Sequence, residues 1–243
     1  MTDVDRFDIL FRDDHFLAID KPAGIHVHPT RLSSGETTCL TILEAQTGER
    51  LFPLHRLDRA TSGVLLFGRT REAAREGATA FADRRMYKRY LAVVRGWLDD
   101  AGCIERAIRE RPGKEPAEAV TDYTCLARVE LPHAVGPFPT TRYSLAEALP
   151  QTGRKHQIRR HFAHISHPII GDVNHGDGAH NRFFRERFGI QRLLLMAERL
   201  AFHHPFTDAR VDIAAPLPAD VAGLFAELGW GDAPESFRDS GRR

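Results

Sequence analysis

The residues best suited to chemistry form the segment His55-Arg56-Leu57-Asp58-Arg59-Ala60-Thr61-Ser62-Gly63, which leads into the apolar run 64–67. Asp58 stands between two arginines, just before a stretch typical of a buried strand. Neighbouring guanidinium groups hold a carboxylate in its anionic form, in which it acts as a nucleophile or a base. The same residue types are also common in turns, where an Arg–Asp pair is only a weak surface ion pair. The residues alone therefore leave an active-site carboxylate and a surface turn about equally open.

Three further segments carry basic residues beside an aromatic residue or a glycine. They are Lys21-Pro22-Ala23-Gly24, Lys88-Arg89-Tyr90-Leu91-Ala92-Val93-Val94 and Thr152-Gly153-Arg154-Lys155-His156-Gln157-Ile158-Arg159. With the Asp58 segment they resemble, in the same order, the motifs of the RluA-type pseudouridine synthases. A lone Arg-Leu-Asp is a weak signal, whereas four motifs in order are a specific one. The resemblance extends from about residue 10 to residue 230.

The resemblance implies a reaction and a set of roles. The family converts uridine in RNA to pseudouridine, without a redox change, a metal ion or a cofactor. Asp58 is implied to be the catalytic residue, and Arg56 to fill the space that the extruded uridine leaves. Tyr90 is implied to stack on the uracil, Leu195 to back it, and Arg159 to pair with Asp58. Whether Asp58 attacks the sugar carbon or removes a sugar proton is left open.

Five basic residues are candidates for contacts with the RNA backbone. They are Lys21, Arg59, Arg154, Lys155 and Arg160. Lys21 is expected to project from the end of a strand, where a phosphate contact and an ordinary surface lysine are equally open. Helical spacing from Lys155 onward places Arg159 where the packed face of a helix meets open surface.

Composition sets wider limits. The chain has 243 residues with 34 Lys and Arg against 33 Asp and Glu, so its net charge of +1 gives no overall attraction to nucleic acid. Its positive charge is clustered instead, which is how a near-neutral protein presents basic patches, although such clusters are usually solvated helix faces. The three cysteines are widely spaced, and no apolar run could span a membrane. These features predict a soluble protein of the reducing cytoplasm.

The spacing of apolar residues predicts a fold that mixes strands and helices without strict alternation. The fold class is therefore α+β. The resemblance refines this to the pseudouridine synthase fold, in which a mixed, mostly antiparallel sheet has a central catalytic cleft. We expect residues 1–243 to form a single catalytic domain, ordered from about 8 to 230, without an additional N-terminal RNA-binding domain of the S4 type.

Two other classes of protein compete with the synthase. Five histidines and Asp172 could form the metal site of a hydrolase, but they lack a compact HxxxH pair flanked by a carboxylate. The histidines are His156, His161, His164, His167 and His175. A non-catalytic RNA-binding module would explain the basic clusters and leave Asp58 without a purpose. Met196 stands where the family usually has His, so any polar role of that histidine is in doubt here.

The substrate is expected to be tRNA, with a target uridine near position 65, and ribosomal RNA is the alternative. The expectation depends on residues outside the shared chemistry, which are the strand around 140–143, the pair Arg159-Arg160 and the insertion 174–191. Such loops decide which folded RNA fits, because RNA is recognised largely by its shape and its phosphate positions. No cofactor, membrane or protein partner is implied, and the protein is expected to be a monomer.

Overall fold

The computed structural model describes residues 4–29 and 37–231. The loop predicted at 30–35 and the tail beyond residue 231 lie outside the described residues. The elements, in chain order, are β1 (Ile9–Arg12), β2 (Phe16–Lys21), α1 (Cys39–Thr47), β3 (Phe52–Pro53), β4 (Ser62–Gly68), α2 (Arg71–Ala82), β5 (Tyr87–Arg95), β6 (Ala101–Glu105), β7 (Val120–Leu131), β8 (Thr141–Pro150), α3 (Gln157–His164), α4 (Gly178–Phe188), β9 (Leu195–His203), β10 (Arg210–Ala214) and α5 (Ala219–Glu227).

The chain divides into two compact units. Unit 1 comprises Met1–Arg89 with Met196–Pro216, and unit 2 comprises Tyr90–Leu195 with Leu217–Arg243. The expectation of one catalytic domain stays a prediction.

Unit 1 is built on a mixed sheet. β2 pairs antiparallel with β1 on one side and with β4 on the other, and β10 pairs antiparallel with β9. β4 and β9 are parallel, with Ser62 opposite Met196 and Gly63 opposite Ala197. The strand that follows Asp58 is therefore flanked by β2 and by β9, which is distant from it in sequence.

One face of this sheet carries the helix α2 and a hydrophobic core. Thr70 caps α2 by accepting a hydrogen bond from the Ala73 amide at 3.0 Å, as expected of a Ser or Thr at this position. Ala73 and Ala80 of this helix are buried in a cluster with Phe16, Val64 and other strand residues. Burial of this apolar surface fixes β4 and, with it, the direction of the chain that leaves Asp58.

Unit 2 contains four antiparallel strands in the order β5, β8, β7, β6. The helix α3 follows β8 and buries Ile158 and Phe162. The insertion forms α4, which begins after the cap Asp177, and α5 buries Val221, Leu224 and Phe225. β6 lies in a stretch whose weak pattern did not predict a strand.

The α+β class is confirmed, as is a mixed and mostly antiparallel arrangement of strands. The central cleft stays a prediction. None of the helices in the described parts of the chain is long and apolar enough to cross a membrane.

Candidate active site

Asp58 begins a tight turn that leads into β4. Its carbonyl oxygen accepts a hydrogen bond from the Thr61 amide at 3.0 Å, and β4 starts one residue later. Asp58 is half-buried, while Arg56 and Arg59 on either side of it are exposed. The turn therefore combines a partly shielded carboxylate with two guanidinium groups that face solvent.

Lys21 lies directly beneath this turn and corrects a prediction. Its side chain is fully buried, and its Nζ donates to the carbonyl oxygens of Pro22 at 2.9 Å, Arg59 at 3.2 Å and Thr61 at 2.7 Å. This burial contradicts the expectation that Lys21 projects from the end of the strand, whereas its contact with an RNA phosphate stays a prediction. The physical reason is strand pairing, because Lys21 is opposite Gly63 in the β2–β4 register. Lys21 instead fixes the main chain on both sides of Ala60.

Two of the four sequence motifs are hydrogen-bonded to each other. Gly24 donates its amide to the carbonyl oxygen of Arg59 at 2.7 Å, and its own carbonyl accepts from Nε of Arg59 at 2.8 Å. The Lys21-Gly24 motif is thus part of the support of the Asp58 turn. The rest of the Arg59 guanidinium is exposed and available to a ligand.

Gly63 permits a close approach of the turn to β9. Its φ of +112° lies where residues with a side chain are strained, and a Cβ atom added there would lie 2.1 Å from the carbonyl oxygen of Ala197. Glycine is therefore required for both backbone conformation and space. The contact places the end of the Asp58 segment against the start of β9.

His55, which sequence reasoning did not single out, supports the segment from its other end. Its Nε2 accepts a hydrogen bond from the Leu66 amide at 3.1 Å, and its ring stacks on Phe81 at 4.8 Å between centroids. Burial, assisted by the positive charge of Lys88, lowers the pKa of His55 to about 3. His55 is therefore neutral at ordinary pH, and its lone pair anchors the segment to β4. A histidine one residue before the Arg-Leu-Asp motif was the signal available in the sequence.

Tyr90 and Leu195, the residues implied to contact uracil, belong to unit 2. Tyr90 is half-buried near the start of β5, opposite Ala148 of β8. Leu195 is 3% exposed and begins β9. Their roles toward uracil stay predictions. Met196, which replaces the family histidine, is buried opposite Ser62 in unit 1.

Arg159 has a different setting from the one predicted. It is 5% exposed rather than at the edge of open surface, and it forms a two-point contact with Asp172. The Nε–Oδ2 and Nη2–Oδ1 distances are both 2.7 Å. Burial alone would raise the pKa of Asp172, but hydrogen bonds from Arg159 and from the amides of Asn174 and His175 hold that pKa below its usual value. Helical spacing could not reveal this partner, because Asp172 follows the helix in a loop.

The other candidate RNA contacts of unit 2 surround the start of α3. Lys155 is exposed. Arg154 and Arg160 are half-buried, and each donates one hydrogen bond to a main-chain carbonyl, of Glu118 and Arg109 respectively. The structure thus brings three of the predicted basic residues to one end of a helix.

The histidines of the alternative metal site contact other residues. His161 contacts the Thr121 hydroxyl at 2.9 Å and the Arg106 carbonyl at 3.0 Å, and His156 contacts His175 at 3.0 Å. Asp172 is bound by an arginine, whose positive charge opposes a metal ion. The alternative metal site is therefore not supported by the structure.

A different set of three residues has ligand atoms close enough together to hold a metal ion. Among residues 4–29 and 37–231, only Asp13, His15 and His204 bring three ligand atoms within 4.8 Å of one another. However, Nδ1 of His204 lies 3.2 Å from the amides of both Phe206 and Thr207 and accepts from them. Its proton therefore lies on Nε2, which is 3.1 Å from the Asp13 carboxylate. In this tautomer Nε2 has no lone pair, and the lone pair of Nδ1 already accepts from the two amides, so neither nitrogen is open to a metal.

Comparisons with known proteins agree with the motifs. Residues 15–164, more than half of the chain, match the family described as RNA pseudouridylate synthase. The tRNA pseudouridine synthase C of Vibrio cholerae serotype O1 is 47% identical over 234 residues, which cover 92% of this chain and 96% of that protein. The protein of the same name from Salmonella typhimurium is 43% identical over 243 residues, covering 95% and 94%.

Solved structures agree on the fold. Human RNA Pseudouridylate Synthase Domain Containing 1 has a TM-score of 0.70 at 24% identity, covering 88% of this chain and 84% of that chain. Human RNA Pseudouridylate Synthase Domain Containing 4 has the same TM-score at 23% identity, covering 91% and 92%.

The predicted pseudouridine synthase fold is therefore confirmed, and so is the predicted similarity to tRNA pseudouridine synthase C. The enzyme is an isomerase that acts on RNA, and the hydrolase and the silent binding module are set aside. This chain belongs to the RluA-type RNA pseudouridylate synthase family.

Proposed function

We propose that the protein converts one uridine of tRNA, near position 65, to pseudouridine. The observation that carries this proposal is the identity of 47% and 43%, over more than nine-tenths of the chain, with relatives named tRNA pseudouridine synthase C. The chain also covers nearly the whole of those relatives. A uridine of ribosomal RNA is the outcome that would contradict it.

Asp58 is proposed as the catalytic carboxylate. The reaction breaks the bond between C1′ of ribose and N1 of uracil, turns the base, joins C1′ to C5, and moves the C5 proton to N1. It needs a fixed anion beside the sugar and no oxidant. Support comes from the half-buried turn of Asp58, which Lys21 and Gly24 hold by main-chain hydrogen bonds. Fixed charge of this kind is what electrostatic catalysis requires.

The proposed roles of the remaining site residues follow the motifs. A stacked uridine is out of reach, so it must be extruded at a cost of a few kcal/mol. We assign Arg56, which is exposed, to the vacated position. Tyr90 stacks on the uracil, Leu195 lies behind it, and Arg159 pairs with the Asp58 carboxylate. Arg59, Arg154, Lys155 and Arg160 contact RNA phosphates.

The insertion offers a surface that could select the RNA. Tyr143 is buried beneath α4, where its hydroxyl contacts Nδ1 of His180 at 2.8 Å and its ring meets Phe184 edge-on at 4.7 Å. This packing holds α4 in place, and Arg182 and Arg185 are exposed on the helix about one turn apart. We propose that these two arginines contact the tRNA backbone at a distance from the target.

Location and assembly follow from the same proposal. A tRNA-modifying enzyme works in the cytoplasm, and the three cysteines Cys39, Cys103 and Cys125 are all free thiols. We propose a cytoplasmic monomer that needs no protein partner.

The decisive experiment maps pseudouridine in a strain that lacks this gene. Carbodiimide treatment and reverse transcription of its tRNA and ribosomal RNA should show one missing tRNA site, restored by the wild-type gene and not by the Asp58→Asn variant. An intact tRNA profile with a missing ribosomal site would overturn the tRNA assignment while leaving the family chemistry in place.

A further inference from the structure

Asp172 binds the Arg159 guanidinium through both of its carboxylate oxygens. The two nitrogens Nε and Nη2 each lie 2.7 Å from a different carboxylate oxygen, and both side chains are buried. A guanidinium held at two points cannot turn about its last side-chain bond. Its plane is therefore fixed, and the third nitrogen, Nη1, projects in one direction.

Asp172 is itself fixed from the other side. Its Oδ1 accepts from the amides of Asn174 at 2.9 Å and His175 at 3.0 Å, and its carbonyl accepts from Nδ2 of Asn181 at 2.9 Å. The anion is thus tied to the loop that follows it and to α4. Asp172 therefore stays in place if Arg159 moves, and it defines the position to which the guanidinium is bound.

We propose that Asp172 is a positioning residue for the isomerisation, which holds the Arg159 guanidinium in the one orientation that suits catalysis. The proposal rests on the role assigned to Arg159 under the proposed function. Asp172 touches neither the RNA nor the reacting atoms. Its contribution is to keep Arg159 from adopting the many other directions open to a long side chain.

The same unit contains a matched control. Asp177 also pairs with an arginine, with 2.6 Å between its Oδ2 and Nη1 of Arg95, and its Oδ1 also accepts from two amides, those of Ala179 and His180. The Arg95–Asp177 pair differs in being partly exposed, at 34% and 29%. Asp177 therefore resembles Asp172 in binding an arginine and two amides, but through one contact to the arginine rather than two and at an arginine with no assigned role.

The experiment compares Asp172→Asn, Asp177→Asn, Arg159→Lys and the double variant Arg159→Lys/Asp172→Asn. The substrate is bulk tRNA from the strain lacking the gene, carrying tritium at C5 of uridine, with enzyme in excess. We measure the single-turnover rate, the Kd for RNA and the melting temperature of each protein. All rates are taken well below the lowest melting temperature, so that only folded protein is compared.

We expect Asp172→Asn to slow the single-turnover rate at least tenfold while the Kd changes less than twofold. Asp177→Asn should lower the melting temperature and leave the rate within twofold. The double variant should be no slower than Arg159→Lys alone, because Asp172 has no guanidinium left to orient once Arg159 is replaced. Its melting temperature should nevertheless fall further. If Asp172→Asn does not fold, Asp172→Glu keeps the charge and displaces the fork by one methylene, and should show the same loss of rate.

Two results would overturn the proposal, and they are distinguishable. In the first, Arg159→Lys is slow, whereas Asp172→Asn folds and has a normal rate. This result would support the role of Arg159 and exclude that of Asp172. A normal rate in Arg159→Lys would remove the role assigned to Arg159, and the positioning with it.

Discussion

Each unit contains a buried cation that is fixed by hydrogen bonds, and the two cations are held in different ways. In unit 1, the ammonium of Lys21 donates to three main-chain carbonyls. In unit 2, the guanidinium of Arg159 is held by the carboxylate of Asp172. Lys21 therefore fixes the main chain of the Asp58 turn and has no proposed role of its own. Asp172 instead fixes one side chain, that of Arg159, which has a proposed role. Replacing Lys21 should disturb a loop, and replacing Asp172 should disturb one functional group.

The hydrogen bonds of Lys21 hold the turn that contains Asp58, and replacing Asp58 should have the largest effect on turnover. Asp58→Asn keeps the shape of the side chain and removes its charge. We expect RNA affinity to be retained and turnover to fall at least about a thousandfold, or about 4 kcal/mol in barrier. Tritium release from RNA labelled at C5 of uridine measures this. Activity within tenfold of wild type would exclude Asp58 from the chemistry.

Gly63→Ala should be the most damaging change to the main-chain support. The added Cβ meets the carbonyl oxygen of Ala197, and the residue keeps a φ of +112°. We expect a loss of about 3 kcal/mol or more in the free energy of unfolding. Gly48 is the control, since its φ is +70° with no atom within 4 Å of an added Cβ, so Gly48→Ala should cost only about 1 kcal/mol. Equal losses in urea denaturation would show that the approach to β9 is not the cause.

Replacing the buried Lys21 and the exposed Lys155 should have different effects. Lys21→Met removes three donors from main-chain carbonyls, so we expect a lower melting temperature and a turnover reduced about tenfold, or about 1.4 kcal/mol. The salt dependence of RNA affinity should be unchanged. Lys155→Met should instead leave the melting temperature unchanged and reduce the logarithmic salt slope by about 1. A reduced slope in Lys21→Met would mean that Lys21 reaches a phosphate when RNA binds.

The neutral state of His55 predicts how stability depends on pH. The pKa is about 3 in the folded protein and about 6.5 in the unfolded chain, so only the unfolded chain takes up a proton as the pH falls below 6.5. At pH 5 this should lower the free energy of unfolding by about 2 kcal/mol relative to pH 7.5. His55→Gln, which keeps an acceptor, should remove that part of the dependence.

Neither unit should depend on a metal ion. We expect full activity after exhaustive EDTA treatment, because the Asp13, His15 and His204 trio keeps the His204 proton on Nε2. The assay is the same tritium release before and after chelation. Complete loss of activity that zinc or manganese restores would contradict this.

Sequence patterns were most informative about the elements and the motifs. Helical spacing from Lys155 onward predicts α3, and the ordered motifs single out Asp58, Tyr90 and Arg159, whose roles stay predictions. The long-range contacts around these residues could not be predicted from the sequence. Lys21 is expected at the surface because only the β2–β4 register brings it under the turn, and the spacing of Asp172, a candidate ligand only in the alternative hydrolase, does not point to Arg159. Long-range contacts depend on the register of strands and the path of loops, neither of which is a local property of the chain.

The parallel pairing of β4 with β9 also bears on how the enzyme is made. Gly63 is synthesised early, whereas Ala197 leaves the ribosome only when most of the chain is complete. Until then, the start of β4 has no partner on its β9 side, and its Asp58 turn is held on the Lys21 side alone. Contacts between such distant segments form late and slow the folding of a domain. A nascent chain therefore has its Asp58 motif long before it has the strand that completes the support of that motif.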